Sequence, residues 1–335
     1  MVKGKSTEET AERNLKNLDS LFALYYNKDA YRRLQNTPEK PRFSGKSNIR
    51  LDVIMKQLRI SSVSNLHANP GGDVGEFVRE ELLFQKEVGF DAMDIRLNLL
   101  DLTSDAWQAQ AEQILKISDE CGIRSELGHL PYDGMSDVAN FSARMHRAID
   151  ASAALGLGCA VLHPNAVTVP MRKFRYQEQY DMVMNLLAPF AEHAHRIGLE
   201  IAIENMRVVP GAQHVHRFCQ TAEEVCAVAD ALGIGVCWDF GHANISGLQQ
   251  AEALAYVGKR LKVIHVNDNR GIDDEHILPF TGNVEWKDAM HGLALTGFDG
   301  LFNFELSPSR VPLSMRKTYA TYLVESAKEL LAMME

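Results

Sequence analysis

The chain has 335 residues, of which 46% are hydrophobic and 24% are charged, a balance typical of globular proteins. Its formal net charge of −9 provides no overall attraction for nucleic-acid phosphates, so a nucleic-acid partner is not expected. No apolar run approaches the ~20 residues of a membrane-spanning helix, and the stretch MVKGKSTEETAERNLKNL lacks the apolar core of a secretion signal. These features predict a cytoplasmic protein without a membrane partner.

The first segment of the chain predicts a helical arm. Leucine and aromatic residues recur every three or four positions between residues 8 and 35, as they do on one face of a helix. The stretch TPEKPRFSGKSN, residues 37–48, then brings two prolines and a glycine, which are typical of a linker. We therefore predict an N-terminal helical arm and linker over residues 1–48 and a main domain over residues 49–335.

From about residue 57 the sequence alternates between short apolar runs and segments of helical periodicity. The eight predicted strands are QLRISSVSNLHA, FDAMDIRLNLL, IRSELGHL, CAVLHPN, LEIAIENM, IGVCWDFGH, KVIHVND and GLFNFELS. Eight strand–helix units predict an α/β fold, namely a (β/α)8 TIM barrel with an N-terminal helical extension. An open doubly wound sheet is the alternative, but no G-x-G-x-x-G motif follows the first strand.

Acidic and histidine residues recur where the predicted strands end. The six strand-end residues are His129, His163, Glu204, Asp239, His265 and Glu305. The C-terminal ends of barrel strands converge on one bowl, where carboxylates and imidazoles are costly to bury unless they bind a cation. The pattern therefore predicts a divalent metal ion, and ligands of this kind suit Mn²⁺, Mg²⁺, Co²⁺ or Zn²⁺.

Four motifs in these strands and loops resemble a known family. The motifs IENM, WDFGH, HVNDN and DEH…GNVEW are similar to the xylose isomerase-like TIM barrels, a superfamily of sugar-phosphate isomerases and epimerases and of AP endonuclease family 2. The resemblance covers residues 57–330 and implies one metal ion, Mn²⁺ being preferred. Its implied ligands are Glu204, Asp239, His265 and Glu305. It also implies that His242 contacts substrate hydroxyls, and it makes Arg270 the candidate for an arginine that binds substrate in ketohexose 3-epimerases.

The resemblance implies an isomerase or epimerase of a sugar or keto-sugar, working by proton abstraction next to a carbonyl through a metal-stabilised enediolate. Glu204 and Glu305 would act as its two acid–base groups. Further predicted substrate contacts are His129, His163 and His276. The loops after the last strands offer no glycine-rich phosphate site, which favours an unphosphorylated sugar. A homo-oligomer is also expected.

Three alternatives stay open. The first is a metal-dependent lyase or dehydratase, or the catalytic subunit of a C-glycoside deglycosidase that acts on a 3-oxo-sugar with His163 or His129 as base and has a small partner subunit. The second is a three-zinc phosphoesterase similar to endonuclease IV. The positions that match its ligands are His129, His163, Glu204, Asp239, His242, His265, Asp274, His276 and Glu305. The third is a binding barrel without catalysis, which would need no pair of bases.

Overall fold

The computed structural model describes residues 58–67, 72–209, 214–306 and 308–334. The predicted arm and linker, residues 1–48, lie outside the described residues, so the division at residue 48 stays a prediction. The described strands are β1 (Ile60–Val63), β2 (Ala92–Arg96), β3 (Ser125–His129), β4 (Cys159–Leu162), β5 (Thr168–Pro170), β6 (Ile201–Glu204), β7 (Val215–Arg217), β8 (Gly235–Asp239), β9 (Leu261–Val266) and β10 (Phe302–Phe304). The described α-helices are α1 (Val74–Val88), α2 (Ala106–Cys121), α3 (Val138–Ala154), α4 (Tyr176–Ile197), α5 (Ala222–Leu232), α6 (Phe240–Ile245), α7 (Gln250–Val257), α8 (Trp286–Thr296) and α9 (Arg316–Ala332).

Eight of these strands form a closed barrel in the order β1-β2-β3-β4-β6-β8-β9-β10, and β10 pairs back onto β1. Every pair within the barrel is parallel. Parallel neighbours need a crossover between them, and the helices supply it. Local signals set the helix ends: α1 begins where Asp73 accepts a hydrogen bond from the Glu76 amide and ends at Gly89, whose φ of 106° favours glycine. The (β/α)8 prediction is confirmed, and the open sheet is wrong.

Seven strand residues that face the barrel interior, together with Leu301 just before β10, form a small apolar cluster, here called the plug. Its members are Ala92, Leu127, Cys159, Val161, Ala202, Cys237, Val263 and Leu301. The alternate residues of the same strands, such as Met93 and Ile95, belong to the larger core that includes buried helix residues. Because strand side chains alternate, the next inward position lies two residues beyond a plug residue, nearer the C-terminal mouth. At that position β6 carries Glu204 and β8 carries Asp239.

Two features of the loops were not predicted. Strands β5 and β7, from the loops after β4 and β6, pair antiparallel as a short ribbon with Val169 opposite His216. Each strand has only three residues and its partner lies far away in sequence, so local periodicity gives no signal for it. The second feature is α6, which follows β8 directly because the Asp239 side chain accepts a hydrogen bond from the His242 amide and caps the helix.

Two further features concern the described part of the chain. All five cysteines are buried and free. Among the described residues, no helix is both long enough and apolar enough to cross a membrane.

Candidate metal centre

Glu204, Asp239, His265 and Glu305 meet at the C-terminal mouth of the barrel. One ligand atom from each lies within 4.8 Å of the ligand atoms of the other three. The Nδ1 atom of His265 is 3.3 Å from Glu204 Oε1, 3.2 Å from Glu305 Oε2 and 3.9 Å from Asp239 Oδ2. Three of these side chains are at most 1% exposed, and Glu305 is 14% exposed. The structure thus brings the four predicted ligands into one buried cluster.

The cluster has the properties of a cation site. Both ring nitrogens of His265 and both carboxylate oxygens of Glu204 are buried without a hydrogen bond of good geometry from the described residues. Buried polar atoms of this kind cost free energy unless they find a partner. Three carboxylates and one imidazole are ligands that suit Mn²⁺, Mg²⁺, Co²⁺ or Zn²⁺. The residues present therefore fit a divalent ion.

The charges of the cluster explain the protonation of its carboxyl groups. Burial opposes the ionised form of Glu204, but interactions with the neighbouring imidazoles, led by His163 and His265, together outweigh burial and lower the pKa of Glu204 well below the usual value. Burial likewise opposes ionisation of Glu305, but its neighbouring imidazoles, led by His265, together outweigh burial, so the pKa of Glu305 is also well below the usual value. The pKa of Asp239 is raised because burial prevails there. Two of the three carboxylates are thus held ionised.

His129 and His163 flank the cluster on two sides. The Nε2 atom of His163 is 2.8 Å from Glu204 Oε2. The Nε2 atom of His129 is 3.4 Å from Glu305 Oε1, and its ring stacks on that of His265 with centroids 4.6 Å apart. Each glutamate of the cluster therefore has one imidazole beside it.

His242, Asp274 and His276 form a second group next to the first, with ligand atoms also within 4.8 Å of one another. Asp274 lies 3.5 Å from Nε2 of His242 and 3.2 Å from Nε2 of His276. Each histidine contacts a backbone carbonyl through Nδ1, at 2.8 Å in both cases. If Nδ1 carries the proton, Nε2 is left free to accept a proton or a ligand. His276 has a φ of 47°, in the left-handed region that residues other than glycine adopt uncommonly.

Supporting polar residues were missed by the sequence reasoning. Asp94 contacts His129 Nδ1 at 3.1 Å through Oδ1 and accepts a hydrogen bond from Asn303 at 2.7 Å through Oδ2. Asn267 donates to Asp239 Oδ2 at 2.7 Å, and Asn205 accepts from the Asp239 amide at 2.6 Å. The sequence did contain a signal for Asp94, because an acidic residue stands there inside a strand whose neighbouring positions are apolar. These contacts fix the orientation of the predicted ligands.

We expect Asn267→Ala to weaken metal binding by roughly 10- to 100-fold, because Asp239 loses the hydrogen bond that orients it. Titration of the metal-free protein with Mn²⁺, followed by calorimetry, measures the change. Asn283→Ala is the matched control, since Asn283 is exposed and bonds to Asn244 and the Arg270 carbonyl rather than to the cluster. Equal Mn²⁺ affinity in the two variants would contradict this role for Asn267.

Arg270, the predicted substrate-binding arginine, is not part of the cluster. Its side chain is 60% exposed and pairs with Glu275, which lies nearby in the same loop. Arg207 is the arginine that reaches the second group, where its Nε is 2.9 Å from Asp274 Oδ2. Arg207 follows Glu204 by three residues in IENMR, a proximity in sequence that could have indicated it.

A pocket opens from the cluster toward solvent. It has an empty volume of about 380 Å³, part of it open to solvent, and it is bounded by the loops after β2 and β3 and by Glu305. Its lining residues are Arg96, Asn98, His129, Leu130, Pro131, Tyr132, Asp133 and Glu305. The Tyr132 ring also stacks on His163, with centroids 4.7 Å apart. A small polar molecule in this pocket would contact Glu305 directly.

Sequence comparisons identify relatives of the chain. A family model described as xylose isomerase-like TIM barrel matches residues 83–331. An uncharacterized protein of Methanocaldococcus jannaschii is 27% identical over 178 residues, which are 52% of this chain and 60% of that protein. An uncharacterized protein of Sinorhizobium fredii is 29% identical over 175 residues, which are 51% of this chain and 54% of that protein. The matches thus span less than two thirds of either relative.

Solved structures share the fold at low sequence identity. The D-allulose 3-epimerase of Methylomonas sp. in complex with D-allulose has a TM-score of 0.62 and 17% identity, covering 82% of this chain and 97% of that chain. The 3-keto-D-glucoside 4-epimerase of E. coli has a TM-score of 0.61 and 17% identity, covering 80% and 99%. The D-psicose 3-epimerase of Clostridium cellulolyticum H10 has a TM-score of 0.62 and 14% identity, covering 82% and 99%.

Proposed function

The chain belongs to the xylose isomerase-like TIM barrel family, and we propose that it is a divalent-metal-dependent isomerase or epimerase of a sugar or keto-sugar. The observation that carries the proposal is the buried cluster of Glu204, Asp239, His265 and Glu305, in which each glutamate has a histidine beside it. Barrels of the same fold include epimerases of D-allulose and of a 3-keto-D-glucoside, which supports sugar chemistry.

The four cluster residues would hold the ion. A bound divalent ion supplies Lewis-acid stabilisation of the negative charge that develops on a substrate oxygen when a neighbouring carbon loses its proton. The hydrogen bonds from Asn267 and to Asn205 hold Asp239 in place, and the stacking of His129 on His265 restricts the orientation of the imidazole. The ligands are therefore organised before substrate enters.

Two acid–base pairs face the substrate position. In the first pair, Glu204 ends β6 and His163 follows β4. In the second pair, Glu305 follows β10 and His129 ends β3. The strands β6 and β10 are separated by two others around the ring, so the two glutamates approach the mouth from different sides. One carboxylate takes the proton beside the carbonyl, and its imidazole holds or releases it. The other pair returns a proton to the opposite face, as epimerisation requires.

Elimination shares the first of these steps. Loss of a proton beside a carbonyl also precedes departure of a leaving group, so lyase, dehydratase or deglycosidase chemistry on a 3-oxo-sugar uses the same residues. A small partner subunit and a homo-oligomer remain expectations of the sequence. Product analysis separates the two reaction classes, because an epimerase keeps the number of atoms in its substrate.

The second group, His242 with Asp274 and His276, favours one further candidate. All nine positions that match endonuclease IV ligands lie around the barrel mouth, which suits a three-zinc phosphoesterase. Arg207 already occupies Asp274 Oδ2 at 2.9 Å, and the net charge of −9 disfavours a nucleic-acid substrate. We therefore rank this function below sugar isomerisation.

Metal content distinguishes these functions. We expect about one Mn²⁺, Co²⁺ or Mg²⁺ per chain, measured by mass spectrometry on protein purified without added metal or chelator. We further expect deuterium from heavy water to enter a keto-sugar beside its carbonyl when metal is present. Two or three zinc ions per chain, together with the absence of deuterium exchange on keto-sugars, would instead support the phosphoesterase.

A further inference from the structure

Arg96 is a cationic residue that the proposed chemistry does not use. It is the last residue of β2, where Ala92 belongs to the plug and Asp94 contacts His129. Side chains two residues apart share one face of a strand, so Arg96 projects from the inner face of β2. Its register partner on the neighbouring strand is His129, which lies beside Glu305. The guanidinium therefore faces the barrel mouth, on the solvent side of Asp94.

Arg96 and Glu305 line the same pocket. Asn98 and Tyr132 line it as well, and the pocket is open to solvent on one side. Glu305 also belongs to the candidate metal cluster. A molecule bound at that cluster and extending along the pocket would present its far end to Arg96.

Arg96 has no counter-ion within the described part of the chain. Among those residues no carboxylate oxygen lies within 4.0 Å of its guanidinium, and Asp133, the aspartate of the same pocket, pairs with Arg144 at 2.8 Å instead. Eight of the other fourteen arginines in the described ranges behave differently. Those that pair with a carboxylate are Arg59, Arg79, Arg124, Arg144, Arg147, Arg207, Arg260 and Arg270. Arg96 is thus a half-buried cation whose charge is left for a ligand.

We propose that this pocket binds the anionic group of a sugar acid or sugar phosphate, with Arg96 as the residue that selects it. The guanidinium offers two parallel N–H donors that match the oxygens of a carboxylate or a phosphate. Asn98 and Tyr132 add neutral donors on the pocket wall. The sequence favoured an unphosphorylated sugar because the loops after the last strands offer no glycine-rich phosphate site. Arg96 lies on β2, outside those loops, and provides a different site for an anion. The substrate class rests on the proposed function, because it assumes that the sugar end occupies the metal cluster.

The test compares three unreactive probes by calorimetry on the metal-loaded protein: D-glucitol, D-gluconate and D-glucitol 6-phosphate. We expect at least one of the two anions to bind about 10- to 100-fold tighter than D-glucitol, the range of a charge-assisted hydrogen bond. Arg96→Gln is expected to remove that preference, because the affinity for the anions falls by more than the affinity for D-glucitol. Arg270→Gln is the control, since Arg270 is exposed and pairs with Glu275. Which anion is preferred distinguishes a carboxylate from a phosphate.

Equal affinity for all three probes, or no measurable binding of either anion at millimolar concentration, would overturn the proposal. An anion preference that survives Arg96→Gln would also overturn it, because the ion or another arginine would then be responsible. Binding needs no turnover, so the proposed function is tested separately. Deuterium exchange on neutral keto-sugars without an anion preference would refute this inference alone, and an Arg96-dependent anion preference without exchange on any sugar would refute the isomerase.

Discussion

Glu204→Gln is expected to lower turnover by roughly 10²- to 10⁴-fold, the range that a positioned general base contributes. Glutamine keeps the shape of the side chain but cannot accept the substrate proton. It also lacks the negative charge of Glu204, whose ionised form is favoured by the neighbouring His163 and His265. Deuterium incorporation into a keto-sugar in heavy water measures the proton-transfer step directly. The same experiment on the Glu305 side, with Glu305→Gln, should give a loss of comparable size.

Glu200→Gln is the matched control for this prediction. Glu200 directly precedes β6, is 41% exposed and pairs with Lys262 at 3.3 Å, so its replacement removes a glutamate from the same segment without touching the cluster. We expect it to retain turnover within about twofold, as surface substitutions usually do. Deuterium exchange at the parent rate in the Glu204→Gln variant would show that Glu204 is not the base that takes the substrate proton.

His265→Ala is expected to abolish the stabilisation that a divalent ion gives to the protein. Binding to the native state alone stabilises it by RT ln(1 + [L]/Kd), which is about 2.7 kcal/mol at a ligand concentration of 100 Kd. The melting temperature of the parent protein should therefore rise by several degrees when Mn²⁺ is added to the metal-free form. His265 contacts Glu204 and Glu305 at 3.3 and 3.2 Å, so its loss disrupts the cluster at its centre.

Differential scanning calorimetry with and without Mn²⁺ measures both forms of each variant. His291→Ala serves as the control, since His291 is exposed on α8 and lies outside the cluster. A circular dichroism spectrum of the His265 variant confirms that it has folded before its response is compared. An undiminished Mn²⁺ response in that variant would show that the ion binds elsewhere.

The barrel and its ring of strand-end residues could be predicted from sequence because both depend on short-range periodicity. In IAIE the alternation places Ala202 and Glu204 on one face and Ile201 and Ile203 on the other, as the structure has them. One alternating strand gives one inward residue near the mouth, and the closed barrel brings several such residues together.

The features that were missed depend on contacts between distant parts of the chain. Asp94 matters because it meets His129 and Asn303, which lie on other strands. The ribbon of β5 and β7 depends on pairing between two separate loops. The contact of Arg270 with substrate, which the family resemblance implied, stays a prediction, and in the structure this side chain pairs with Glu275 of the same loop. No pattern within a single segment contains this information.

The plug separates the part of the barrel that determines folding from the part that determines chemistry. Its eight side chains are apolar or thiol, and each is at most 9% exposed, whereas the cluster above it at the mouth consists of carboxylates and imidazoles. Substitutions of apolar residues in the plug are therefore expected to act through packing, whereas substitutions at the mouth act through buried charges and hydrogen bonds. A change of chemistry at the mouth has to replace a whole set of mutually bonded residues, and the apolar plug beneath it can stay as it is.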